Sequence, residues 1–148
     1  MKQLVQSLKD GKVDLFESPT PFLKDGHILI STSCSAISSG TEKMLLDFGR
    51  SNLIGKALSQ PDKFSEALKK INTDGLISTA SAIKSKLSSP IALGYSNVGT
   101  VIEKPSDVRH FKVGDRVVSN GNHAEQVLVP KNLCCKIPDK VSNEEASF

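Results

Sequence analysis

Tryptophan is absent from this 148-residue chain and tyrosine occurs once, as Tyr95. The basic helical segment in the middle of the chain lacks the usual aromatic stacking residues of single-stranded nucleic-acid binders, so that class is not expected. Cysteine is scarce and odd in number, with Cys34, Cys134 and Cys135. An adjacent pair neither closes an ordinary disulfide nor supplies CxxC metal spacing, so reduced thiols are expected. The three histidines, His27, His110 and His123, form neither HxxxH nor HExxH, and no metal site is expected. No run approaches the roughly 18 apolar residues of a membrane span, and Met1 to Asp10 lacks the apolar core of a signal peptide. A cytoplasmic protein without a membrane partner is the expectation. GxGxxG occurs nowhere, so the chain lacks the usual loop for a dinucleotide's phosphates.

What is present suits one domain. Folding at this length removes roughly 68 to 70% of the unfolded chain's surface, enough for a core without staples. The pattern along the chain falls into three parts. From Met1 to about Glu42 it is strand-like: His27 to Ala36 places Ile28, Ile30, Thr32, Cys34 and Ala36 on one face, with serines dominating the other. From about Lys43 to Ser89 the period becomes helical. Phe64, Ala67, Leu68 and Ile71 follow i, i+3, i+4, i+7 behind Ser59, Pro61 and Asp62, which predicts a capped helix start. Leu76, Ala80, Ile83 and Leu87 continue a stripe after the Asp74-Gly75 break, and Met44, Leu45 and Phe48 predict a short helix before Gly49. From Pro90 to Pro138 strands return, at Val98 to Ile102, Arg116 to Ser119, Ala124 to Val129 and Asn132 to Ile137. Gly94 and Gly99 predict a bent or closely packed strand. Turn signals at such short intervals predict a small antiparallel barrel or sandwich, giving a mainly β fold with α.

The string FKVGDRV, Phe111 to Val117, reads as a strand entered through a tight turn in which Gly114 takes a positive φ and Asp115 bonds back to the turn. Before it stand GTE (Gly40 to Glu42) and LGYSNVGTV (Leu93 to Val101); after it come HAEQVLVP (His123 to Pro130) and IPDKVSNEEASF. In this order the segments resemble the N-terminal GroES-like catalytic domain of the medium-chain dehydrogenase/reductase superfamily, over residues 1 to 42 and 90 to 148. The resemblance implies a distorted β-barrel with a helical insert at about 43–89. It also implies a Rossmann domain after residue 148 that holds NAD or NADP, and a full-length form that is a homo-oligomer. The ending agrees: Ser142 with Glu145 reads as a capping box whose helix has barely begun, so the chain is expected to continue.

Departures from that pattern bear on mechanism. Where zinc-dependent members carry cysteine, histidine and glutamate, this chain has Ser39, Tyr95 and Ser96, poor zinc ligands beside thiolate and imidazole. Ser119 to Asn122 runs directly into HAEQ, leaving no room for a structural-zinc lobe. The resemblance is therefore to a zinc-independent branch. Through GTEKMLLDFG, QPDK, TDGL and LGYSNVG it extends to bacterial two-module oxidoreductases with a C-terminal glucose-fructose oxidoreductase-type module, often serving surface-polysaccharide synthesis. Without zinc, a substrate oxygen must be polarised by hydrogen-bond donors and a general acid or base. The candidates are Tyr95, Ser39, Thr41 and Glu42, with Gly40, Ser96 and His123 lining substrate or cofactor. Each has a plainer reading as well: strand-end hydroxyls for Ser39 and Thr41, a solvated helix start for Glu42, a turn histidine for His123 and a packed barrel ring for Tyr95.

The function implied is the substrate-side domain of a zinc-independent NAD(P)-dependent oxidoreductase, inactive without its cofactor domain. Its small-molecule substrate would extend to a sugar or nucleotide sugar. A non-enzymatic GroES-like interaction module, with the helical insert as partner surface, stands as the alternative. The net charge of +3 points the same two ways, because residues 43 to 89 hold eight basic and four acidic side chains while the rest is nearly balanced. That is too little for nucleic acid, yet enough to attract an anionic substrate to the insert.

Overall fold

The computed structural model describes every residue except Leu53, Ile54, Lys56 and Ala57, and gives the backbone alone at helix positions 63, 64, 68, 70–72, 74, 76, 83 and 86. The chain forms two compact units. Unit 1 comprises Met1–Leu4, Leu15–Ser39 and Ala92–Phe148; unit 2 comprises Val5–Asp14 and Gly40–Ile91. Strands β1 (Lys2–Ser7), β2 (Val13–Glu17) and β4 (Pro90–Ala92) form a three-stranded sheet in the order β2-β1-β4, and the division falls within these strands.

Unit 1 is built on an antiparallel sheet of β3 (His27–Ser35), β5 (Asn97–Glu103), β6 (Arg116–Ser119), β7 (Gln126–Pro130) and β8 (Cys134–Lys136), ordered β7-β3-β5-β6-β8. This is the expected mainly β, GroES-like architecture. Ile28 and Ile30 on β3 meet Val101, Val108, Phe111, Val117, Val127 and Val129 in one core. Burying each such side chain contributes about 1.5 to 3 kcal/mol. Serines do not own the whole second face of β3, because Leu29 is also buried. As a central strand, β3 is covered on both sides along its first half, and the half-buried pattern holds only beyond Ile30. Gly99 on β5 packs as expected: a Cβ there would collide with the Ser31 carbonyl oxygen.

Two predicted strand boundaries shift. Strand β7 begins at Gln126, because Ala124 pairs instead with Gln3 in an isolated bridge. The predicted Asn132 to Ile137 strand splits into a 3-10 turn, Lys131–Leu133, and β8, since Pro130 has no N–H with which to continue the ladder. On β8, Cys134 packs against the core, and burial pushes its thiol up to about 12. Cys135 is exposed. The terminal helix, α4 (Asn143–Ala146), has its capping box: Glu145 N–H donates to Ser142 Oγ at 3.1 Å and Ser142 N–H to Glu145 Oε2 at 2.9 Å.

Unit 2 carries helices α1 (Thr41–Arg50), α2 (Pro61–Asp74) and α3 (Leu76–Ser88). The first begins two residues before the expected change of period and includes Gly49. A Cβ at Gly49 would stand 2.6 Å from Gln6 Nε2 and 2.7 Å from Gly11 Cα, so the lack of a side chain permits the approach. Gln6 Nε2–H donates to the Leu45 carbonyl at 2.8 Å. The second starts at Pro61 as predicted, but Ser59 is itself helical and stands too early to cap it. Of its predicted stripe, Phe64, Leu68 and Ile71 lie outside the described side chains, and Ala67 is half-buried. Among the described side chains of α3, Thr79 is buried, Leu87 is half-buried as expected and Ala80 is exposed, contrary to its place in the predicted stripe. Leu76 and Ile83 have no described side chains. Among the described residues, no helix is long and apolar enough to cross a membrane.

Candidate functional site

In unit 1 the candidate residues gather around the turn that leads into β5. Gly94 adopts φ +92°, a conformation that costs glycine little. That bend lets three segments meet: Leu93 N–H donates to the Leu4 carbonyl at 3.0 Å, His123 N–H to the Leu93 carbonyl at 2.8 Å, and Leu4 N–H to the His123 carbonyl at 2.8 Å. A Cβ on Gly94 would lie 2.7 Å from His123 N and 2.8 Å from its ring. The histidine is therefore set by backbone on one side. On the other, its Nδ1 shares a 2.8 Å hydrogen bond with Ser35 Oγ.

Asn97 fixes the neighbouring segment. Its side chain is fully buried, and Nδ2 donates to Thr32 Oγ1 at 2.9 Å and to the Asn122 carbonyl at 3.1 Å. The residue before His123 is thus held by a side chain from β5, while Asn97 Oδ1 has no partner among the described residues. An unpaired buried amide oxygen is costly, so it marks a place where the fold retains polarity inside an apolar sheet. Ser119 Oγ, paired across from Asn97, accepts from Gly121 N–H at 3.2 Å and tightens the same loop.

The remaining candidates differ in what they have free. Tyr95 is 51% exposed, and its hydroxyl bonds to no described residue. Ser96 is committed: its hydroxyl donates to the Ser147 carbonyl at 2.7 Å and helps moor α4. Arg116 moors the same helix, donating through Nη2 to the Val141 carbonyl at 2.7 Å and to Asn143 Oδ1 at 2.8 Å. Ser39 is exposed at the end of unit 1. Gly40, Thr41 and Glu42 belong to unit 2, where Gly40 precedes α1, Thr41 is exposed in its first turn and Glu42 is buried at 8%. The solvated reading of Glu42 is thereby corrected, since the residue is buried.

Tyr95, His123 and Ser35 therefore supply a phenol, an imidazole and a hydroxyl in unit 1. These groups can donate to a substrate oxygen and hold a proton, and none is a strong metal ligand except the histidine. Among the described residues, no three His, Cys, Asp or Glu side chains converge. Sequence reading missed Asn97, Ser35, Thr32 and Asn122. Asn97 had one visible signal, a carboxamide opening an otherwise apolar strand between Gly94 and Gly99.

Comparison with known proteins agrees with the fold. Residues 69–139 match the family described as the alcohol dehydrogenase GroES-like domain. Among solved structures, the chain is similar to a quinone oxidoreductase from Coxiella burnetii, with 22% identity and TM-score 0.66 over 99% of this chain and 40% of that one. It is similar to Escherichia coli galactitol-1-phosphate dehydrogenase, with 16% identity and TM-score 0.67 over 100% and 41%. Escherichia coli quinone oxidoreductase, solved as a complex with NADPH, gives 17% and 0.65 over 99% and 36%. The chain thus spans well under half the length of these structures. No curated protein matches the sequence.

Proposed function

We propose, from the match of residues 69–139 to the alcohol dehydrogenase GroES-like domain, that the chain is the substrate-side catalytic domain of a zinc-independent NAD(P)-dependent oxidoreductase. The observation that carries this reading is the free, half-exposed hydroxyl of Tyr95 on the same turn that pins His123. A half-exposed phenol with no partner among the described residues is suited to donating a hydrogen bond to a carbonyl or alcohol oxygen and to holding its proton. His123, held by Ser35 Oγ and by the Leu93 carbonyl, is the second candidate donor of the same turn. Ser39 and Thr41, with exposed hydroxyls, and the enclosed Glu42 are the further candidates for contacting substrate, with Gly40 beside them and Ser96 bracing the turn through Ser147.

The nicotinamide cofactor, when bound, supplies or accepts the hydride. In unit 1 Tyr95 and His123 are the donors that would contact its reactive end, with Gly40 and Ser96 the further lining candidates, and a sequence without GxGxxG leaves its phosphates to a Rossmann domain outside these residues. Ser39, Tyr95 and Ser96 do not fit zinc. The narrower reading is a cytoplasmic homo-oligomer acting on a sugar or nucleotide sugar in surface-polysaccharide synthesis. The excess of basic side chains in residues 43 to 89 supports an anionic substrate.

The test is Tyr95→Phe in the full-length protein assayed with NADPH against carbonyl and sugar-nucleotide substrates. Loss of a general acid lowers kcat/KM by about 100-fold or more, with the thermal midpoint unchanged. Undiminished turnover removes Tyr95 from the chemistry, and stoichiometric zinc in the purified protein removes the zinc-independent reading.

A further inference from the structure

The geometry points to a binding site for a phosphate monoester at the opposite end of the five-stranded sheet from Tyr95 and His123. A concavity of about 330 Å³ there is lined by Asp107, Val108, Arg109, His110 and Phe111, with Lys131 and Asn132 across from them. It lies near the His27 end of β3, whereas Ser35, which holds His123, ends that strand. Eight residues of strand separate the two ends by roughly 26 Å, so the concavity is distinct from the proposed catalytic cluster.

Three features favour an anion with several acceptor oxygens. Arg109, His110 and Asn132 are exposed donors, and none of them bonds to a described residue. In the same loop Lys104 is satisfied, its ammonium donating to the Val108 carbonyl at 2.9 Å, so the freedom of Arg109 is not general to the region. Only one carboxylate lines the concavity, and it is engaged: Asp107 Oδ2 accepts Gly26 N–H at 3.0 Å and faces Lys131 Nζ at 3.6 Å. Two fixed cations against one carboxylate leave one positive charge uncompensated.

The frame is also braced. Lys131 N–H donates to the Gly26 carbonyl at 2.9 Å, so Gly26 ties Asp107 on one wall to Lys131 on the other. A guanidinium fork, a ring N–H and an amide NH₂ together need at least three acceptor oxygens, which a phosphate has and a carboxylate lacks. Val108 and Phe111, both core residues, give the concavity an apolar side. A monoester whose organic group covers that side matches better than the bare ion.

The experiment titrates the intact protein with phenyl phosphate, inorganic phosphate and benzoate at constant ionic strength, read by amide chemical shifts. The expected result is saturable shifts confined to residues 107–111 and 131–132, with phenyl phosphate binding several-fold tighter than inorganic phosphate and benzoate weaker than both. Arg109→Ala weakens phenyl phosphate about tenfold, and Asn132→Ala weakens it less, neither changing the thermal midpoint. Shifts that never saturate, benzoate binding as tightly as phenyl phosphate, or an affinity indifferent to Arg109→Ala would overturn the assignment.

Discussion

Two turns of unit 1 are built on glycines with nearly the same backbone, Gly94 at φ +92° and Gly114 at φ +93°. The turn at Gly114 is closed by its own residues, although it also bonds to β5, Gly114 N–H donating to the Val101 carbonyl at 2.9 Å and Val101 N–H to the Asp115 carbonyl at 3.0 Å. Lys112 N–H donates to Asp115 Oδ2 at 2.7 Å, Asp115 N–H to the Lys112 carbonyl at 3.1 Å, and a Cβ on the glycine would meet nothing within 4 Å. The turn at Gly94 is a junction, with Leu4 and His123 bonded to Leu93 and the histidine backbone where a Cβ would stand. Equal dihedral angles thus answer different demands. One glycine is required only for its φ, the other for its φ and for the space beside it, and the second lies where the proposed chemistry lies.

The sharpest test of that difference is alanine at each. Gly94→Ala combines left-handed strain with a backbone clash and should cost about 3 to 5 kcal/mol in denaturant unfolding. The residual folded protein should also lose the native His123 environment in its ring-proton spectrum. A cost no greater than that of Gly114→Ala would break the comparison, because it would mean that the close approach to His123 is relieved without penalty. Next in size is Asn97→Ala, which removes two partly buried hydrogen bonds and leaves the Asn122 carbonyl without its side-chain donor. About 2 to 3 kcal/mol is expected, with the shift changes reaching His123. If stability falls but His123 is untouched, Asn97 supports the sheet and not the junction.

The two turns also differ in how much of them the sequence discloses. FKVGDRV was readable because the two bonds that close its turn both run between Lys112 and Asp115, three residues apart, so the glycine and the aspartate announce it before any strand pairing is known. The same locality made the Ser142 capping box and the Asp74-Gly75 break legible. The junction was half legible, in that Gly94, Tyr95 and His123 drew notice one by one. What joins them depends on strand register. His123 reaches Ser35 across 88 residues and Asn97 reaches Thr32 across 65. The β3–β5 ladder shifts register between Thr32 and Cys34, so simple alternation would not pair Asn97 with Ser35 while also giving it Thr32. The exposure of Ala80 beside buried Thr79 has a similar origin, since a stripe drawn at i+4 and one at i+3 share most residues.

Gly114→Ala comes third. With open space around the position, only the positive φ is penalised, at about 1 to 2 kcal/mol, and no change at His123 is expected. A spectrum altered there would join the two turns and blur the distinction between them.

The smallest effect is Asp115→Asn, which asks whether the local turn has any electrostatic component. Lys136 Nζ lies 2.7 Å from Asp115 Oδ2, and that bond, followed by the Lys112 N–H, holds the carboxyl below its ordinary value. A carboxyl whose pKa is depressed on folding contributes stability above its unfolded pKa of about 3.9, and that contribution disappears as pH falls through the lower folded value. The pair is partly solvated, so the substitution should cost only about 0.2 to 1 kcal/mol at pH 7. The deficit should shrink with added salt, since screening acts on this ion pair and not on glycine geometry. It should shrink as the pH falls below the ordinary carboxylate range and through the lower folded value, where the carboxyl of the parent chain is itself becoming protonated. A deficit that persists unchanged into acid would assign the effect to the shape of the side chain. The turn at Gly114 would then rest, like its φ, on geometry alone.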